Sequence, residues 1–168
     1  PADRVICNGD PPTVYRQMMP AKHANGKRLM PDKLTQYSMG LFVLFFGTKK
    51  RFDNIAHHTF WMGPRYKELL ADIFNRKILA DDFSLYLHRP TATDESFAPY
   101  GCDSFYVLCP VPNLRASIDW NESGPKLQGR IIKALADTIL PDLDKVISDP
   151  FYMTPEDFKN DYRSMYGA

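Results

Sequence analysis

The chain has 168 residues, 44% of them apolar, with 21 basic and 20 acidic side chains. That length suits one domain with a real core, the apolar share excludes a disordered chain, and the near-cancelled charge removes the electrostatic footprint of a nucleic-acid binder. Three cysteines, Cys7, Cys102 and Cys109, without C-x-x-C spacing exclude a disulfide framework or cysteine zinc site and point to a reducing, cytoplasmic setting.

Val5-Ile6-Cys7 reads as a short buried strand, after which Asp10 caps a short helix over residues 12–19 that opens on proline. Residues 20–32, with Lys22, His23, Lys27 and Arg28 around Asn25-Gly26, read as a solvated basic loop. Residues 37–47 form the apolar centre of the sequence. Gly40 is costly inside a helix, while Val43 and three phenylalanines favour a pleated strand. Phe42, Leu44 and Phe46 then share one face and Leu41, Val43 and Phe45 the other. Both faces are apolar, so one calls for helices and the other for more protein or a hydrophobic ligand.

A charged turn at residues 47–51 leads to a second expected strand over residues 55–62, paired antiparallel with the first. Gly63-Pro64 opens a helix whose stripe is Tyr66, Leu69, Leu70, Ile73 and Phe74. Phe83, Leu85 and Leu87 alternate with Ser84, Tyr86 and His88, the cleanest strand pattern in the chain. Residues 104–109 form another strand, which Pro110 and Pro112 are expected to end. Leu127, Ile131, Ile132, Leu135 and Ile139 mark a long amphipathic helix, with caps expected at residues 121–124 and Pro125 in its first turn. A short helix over residues 142–147, an extended stretch over 147–153 and a last helix capped by Thr154 complete the chain. The sum is an α+β domain: a mainly antiparallel sheet with helices packed on one face.

Chemical motifs are sparse. His57 and His58, as neighbours in a strand, would point to opposite faces, and no third ligand has helpful spacing, so no metal site is expected. There is no G-x-S-x-G, no P-loop and no G-x-G-x-x-G.

The succession Ile55-Ala56-His57-His58-Thr59, Gly63-Pro64-Arg65-Tyr66, Asp82-Phe83-Ser84-Leu85-Tyr86-Leu87-His88, Thr93-Asp94, Tyr106-Val107-Leu108-Cys109-Pro110-Val111-Pro112 and Asp119-Trp120 resembles the bacterial phytoene desaturases, FAD-dependent carotenoid desaturases of the amine-oxidase-like superfamily. Cys109 and the Arg89 that follows His88 depart from the commoner family pattern. The resemblance implies an internal segment: residues 1–10 as a strand leaving the FAD domain and residues 11–168 as the substrate domain, inactive by itself.

For the whole enzyme, the resemblance implies desaturation of phytoene or a related C40 or C30 polyene in an apolar tunnel, with FAD held by segments absent here. Phe42, Leu44, Phe46, Tyr86 and Tyr106 are the expected substrate-binding residues. His57, His88 and Asp94 are the candidate proton acceptors, and Asn8 and Asp10 the candidate cofactor contacts. The implied enzyme is cytoplasmic and peripheral to the inner membrane, and the isolated segment can dimerise through surfaces meant for the flavin domain. A stand-alone module that binds an apolar ligand or a protein, without redox activity, is the alternative.

Overall fold

The computed structural model describes residues 2–20, 22 and 32–168, so most of the expected basic loop, including His23, Lys27 and Arg28, lies outside the described residues. After α1 (Pro11–Thr13), the chain forms β1 (Gly40–Thr48), β2 (His58–Trp61), α2 (Tyr66–Ala71), β3 (Leu85–His88) and β4 (Asp103–Val111). It continues through α3 (Trp120–Asp137), α4 (Leu143–Val146), β5 (Ile147–Met153) and α5 (Pro155–Tyr162). The strands make one antiparallel sheet in the order β2-β3-β4-β1-β5. The α+β class and the helix-covered face agree with the sequence reading.

The apolar stretch β1 lies between β4 and β5. Phe42, Leu44 and Phe46 turn inward to meet Phe105, Val107 and Cys109 of β4 and Leu127, Ile131 and Leu135 of α3. Phe42 is stacked on Tyr152 at 4.9 Å between centroids, and Phe46 on Phe105 at 5.2 Å. Phe42 and Leu44 are fully buried. This corrects the expectation that Phe42, Leu44 and Phe46 line a ligand tunnel, because the chain's own helix covers that face; on the opposite face Val43 is also buried, and Phe45 is partly exposed.

Other expectations also change. β1 does not pair with β2, which is carried to the far edge of the sheet beside β3. Val5 and Ile6 are exposed rather than buried, and among the described residues they have no strand partner. β4 runs on through Pro110, which pairs with Leu41 of β1 beyond the last residue that β4 pairs with β3. α3 begins a turn earlier than expected. Asp119 caps it by accepting from the backbone N–H groups of Asn121 and Glu122, so Pro125 falls inside the helix. At the last helix the reading holds: Thr154 and Asp157 form a capping box.

A buried polar node fixes one end of the sheet. Arg89, just after β3, places its Nε 2.9 Å from Asp103 Oδ2 and donates through a terminal nitrogen to the Ile55 carbonyl at 2.9 Å. The Nε hydrogen is not aligned with the carboxylate, so this contact is Coulombic rather than a hydrogen bond. Asp103 also accepts from the Phe52 backbone N–H at 2.7 Å and from the Thr91 hydroxyl at 2.6 Å. Phe52 and Ile55 are buried, so the segment between β1 and β2 is anchored by both packing and charge.

Removing Asp103 leaves the buried Arg89 guanidinium with only the exposed Asp53 carboxylate, 3.2 Å from a terminal nitrogen, and deprives the Phe52 N–H and the Thr91 hydroxyl of their acceptor, at a cost of about 3–5 kcal/mol. Asp103→Ala is therefore expected to lower the unfolding free energy by about that amount, read from the shift in urea midpoint. A loss below about 1 kcal/mol, the range of a surface pair, would contradict the buried-node assignment.

Candidate functional site

The sheet face away from α3 carries a continuous aromatic ribbon. Directly opposite residues of antiparallel neighbours share a face, and the register sets Phe151 beside Phe45, Phe45 beside Tyr106, Tyr106 beside His88, and His88 beside His58. Tyr86 and Phe60 form the next pair along β3 and β2. Ring centroids follow at 4.8 Å for Phe45 and Phe151, 6.0 Å for Phe45 and Tyr106, 5.8 Å for Tyr86 and Tyr106, and 5.3 Å for Phe60 and Tyr86. The ribbon crosses all five strands, four interstrand steps or about 19 Å. Its middle is half-buried, and its ends, Phe60 at 72% and Phe151 at 58%, are open.

At one end stand three histidines. β2 begins at His58, which leaves His57 in a bend rather than in the strand, so the two rings do not diverge: their centroids are 4.4 Å apart. The bend is held in place because the Arg89 N–H donates to the His57 carbonyl at 2.9 Å. His88 faces His58 across the ladder, and its Nε2 lies 2.8 Å from His57 Nε2. The outer nitrogens also have partners: His57 Nδ1 lies 2.8 Å from the Thr93 hydroxyl and His58 Nδ1 2.7 Å from the Tyr86 hydroxyl. Burial, then the proximity of His57 and His58, holds the His88 imidazole below its ordinary pKa. Burial, then the neighbouring Tyr86, raises that of Tyr106.

The structure thus brings Tyr86, Tyr106, His57 and His88 together and does not bring the other expected residues to them. Asp94 is exposed, and its carboxylate accepts from the Ser96 N–H at 2.9 Å, which holds its pKa below the usual carboxylate value. Asp10 is occupied as a cap: its carboxylate accepts from the backbone N–H groups of Thr13 and Met165, each at 3.3 Å. Asn8 is exposed. The geometric reason for expecting no shared ligand set at His57 and His58 does not hold, since it assumed that both lie in one strand.

Phe45, His58, Phe60 and Phe151 were not among the expected site residues. The mixed strands carried the available signal: Leu85 and Leu87 are wholly apolar while Tyr86 and His88 carry polar tips, and the register of β3 to β4 and of β4 to β1 selects Phe45 over Phe46.

Two other features are structural. Asp32 accepts from Tyr37 and Tyr166, Tyr166 being the larger influence holding it well below the ordinary carboxylate range, while Arg115 lies over both rings at 4.6 and 4.8 Å. Burial pushes the Cys109 thiol up to about 12, which leaves it without thiolate character. Among the described residues no helix is long and apolar enough to cross a membrane.

No family model matches the chain. Individual relatives do. The chain is 42% identical to a lycopene-forming phytoene desaturase of Pantoea ananas over 98% of its length, and 41% identical to a neurosporene-forming phytoene desaturase of Rhodobacter capsulatus over its full length. It is 31% identical to a 4,4'-diapophytoene desaturase of Methylomonas over 99%. The chain aligns over nearly its whole length with a segment of bacterial carotenoid desaturases. It spans about a third of the length of the relatives it matches: 34%, 33% and 32% of the three. Similarity at this level to redox enzymes disfavours the alternative of a stand-alone binding module.

Lowering of the His88 pKa has a consequence for stability. The unfolded imidazole, near 6.5, binds protons that the folded one refuses, so stability contributed by neutral His88 is complete above that pH and is lost as pH falls from about 6.5 toward the folded value. An NMR titration is expected to place the His88 midpoint below 6.5, and the unfolding free energy of His88→Gln is expected to fall less than wild type between pH 7.5 and 5.5. A midpoint at or above 6.5 would contradict the burial of His88 against its two neighbours.

Proposed function

We propose that the chain is the substrate-binding part of an FAD-dependent desaturase that acts on phytoene or a related C40 or C30 polyene. The aromatic ribbon is its substrate wall. A polyene offers no charge and no hydrogen-bond handle, so its recognition depends on apolar area, at about 25 cal/mol per Å² removed from water. A sheet face of stacked rings suits such a molecule because each ring presents a flat, rigid surface with little rotamer freedom to lose. The single observation that supports this reading most is the unbroken succession from Phe151 to Phe60 on the face that α3 leaves uncovered.

Asp10 is engaged as a cap, Asn8 is exposed, and the sequence has no G-x-G-x-x-G. In this proposal the FAD belongs to parts of the enzyme outside this chain. What this chain contributes is alignment, exclusion of water and a proton acceptor. His57 and His88, linked nitrogen to nitrogen, are the acceptor pair: a neutral imidazole takes the proton released beside the reacting bond, and its partner shares the charge. The open ends of the ribbon, with exposed Met62 beside Phe60, suit a membrane surface that delivers the polyene.

Phe45→Ala and Tyr86→Ala in the enzyme that contains this segment are each expected to reduce kcat/KM for phytoene by about tenfold or more, since each removes apolar contact worth about 1.5–3 kcal/mol. His57→Ala is expected to reduce kcat by a larger factor, about 10²–10⁴, with little change in KM. Product formation is read by the absorbance of the lengthened polyene. If Phe45→Ala and Tyr86→Ala keep full activity in folded protein, the ribbon is not the substrate wall.

A further inference from the structure

We infer that His57, His58 and His88 form a site for one borderline divalent transition-metal cation of the zinc, cobalt, nickel and copper group. Each residue offers one ring nitrogen, and these nitrogens lie within 4.8 Å of one another. A cation held at about 2.0–2.1 Å by imidazoles in tetrahedral geometry needs nitrogens roughly 3.3 Å apart. The His57 and His88 Nε2 atoms are at 2.8 Å because they share a proton in a hydrogen bond. Exchanging that proton for a cation requires them to part by about half an ångström, and the widest-set pair of the three, within 4.8 Å, to close by up to about 1.5 Å, both through ring rotation.

The surroundings fit the ligand set. Metal-bound histidines commonly hand their second nitrogen to an oxygen partner that fixes ring and tautomer. Here the Thr93 hydroxyl is at His57 Nδ1 and the Tyr86 hydroxyl is at His58 Nδ1. Those contacts leave the Nε2 atoms of His57 and His58 as the inward donors. Three neutral nitrogen donors select zinc, copper, nickel or cobalt over magnesium and calcium, which prefer oxygen. His58 is exposed, so a fourth position is open to water.

The site goes beyond the proposed desaturation and does not depend on it. Its consequence for that chemistry is inhibitory: a cation would occupy the lone pairs that otherwise accept a proton. Binding is nonetheless measurable without any activity.

The test is calorimetric titration of the purified, metal-stripped chain with zinc chloride in a non-chelating buffer, followed by cobalt chloride with visible absorption spectra. The expected result is one ion per chain, with a cobalt spectrum of low-coordinate nitrogen ligation. His57→Ala, His58→Ala and His88→Ala are each expected to weaken binding by at least about tenfold, and Cys7→Ser to leave it unchanged. Far-UV circular dichroism monitors the fold, and the exposed His58 is the position whose replacement least disturbs it. Zinc bound no more tightly by wild type than by folded His58→Ala would overturn the assignment. So would the absence of stoichiometric binding.

Discussion

The buried contact between Arg89 and Asp103 is the constraint on which the rest of the sheet's working end depends. One carboxylate receives a guanidinium, a backbone N–H from Phe52 and the hydroxyl of Thr91, so the segment after β1, the residue after β3 and the first residue of β4 are held to one point. The same guanidinium donates to the carbonyl of Ile55, and the backbone of Arg89 donates to that of His57. Charges so deeply buried are tolerated only with good pairing. The pairing therefore fixes where the chain enters β2 and places His57 within reach of His88. Arg89, one of the departures from the commoner family pattern, sits at the centre of this node.

From that node the sheet separates two environments. Inward residues of β1, β3 and β4 alternate with outward ones, and the inward set is closed by α3 into a core of leucine, isoleucine and aromatic side chains. Outward residues repeat aromatic rings from strand to strand on the face turned away from α3. A sheet with one face sealed and one face aromatic is a surface on which a flat apolar molecule can lie, with imidazoles at one end able to handle a proton or a cation. The charged connection between β1 and β2 is what allows this arrangement, since it carries β2 across to the far edge, where its histidine and phenylalanine extend the ribbon.

Much of the fold was legible because its signals are local. The alternation of Leu85 and Leu87 with Tyr86 and His88, the apolar stripe from Leu127 to Leu135, and the Thr154 cap each follow from spacing or from one side chain's hydrogen bonds. Long-range choices were not legible. Whether Phe42 or Phe45 faces the helices depends on the register against β4, since both faces of β1 are equally apolar in sequence. The pairing of β2 with β3 depends on the buried anchors Phe52, Ile55 and Arg89, and a charged turn alone suggested a hairpin. The histidine cluster was missed because a strand expected from residue 55 begins only at His58, which leaves His57 in the preceding bend and turns two diverging rings into neighbours. The similarity to phytoene and diapophytoene desaturases lies in the whole succession of short motifs along the chain, while the side chains of the open face emerge only from the strand register.

The measurement that decides most directly is a crystal structure of the whole desaturase containing this segment, with a polyene substrate or an unreactive analogue bound. Polyene carbons are expected within van der Waals contact, about 4 Å, of Phe45, Tyr86 and Tyr106, with His57 and His88 beside the polyene. A polyene lying among Phe42, Leu44 and Phe46 beneath α3, or away from the sheet altogether, would contradict this expectation.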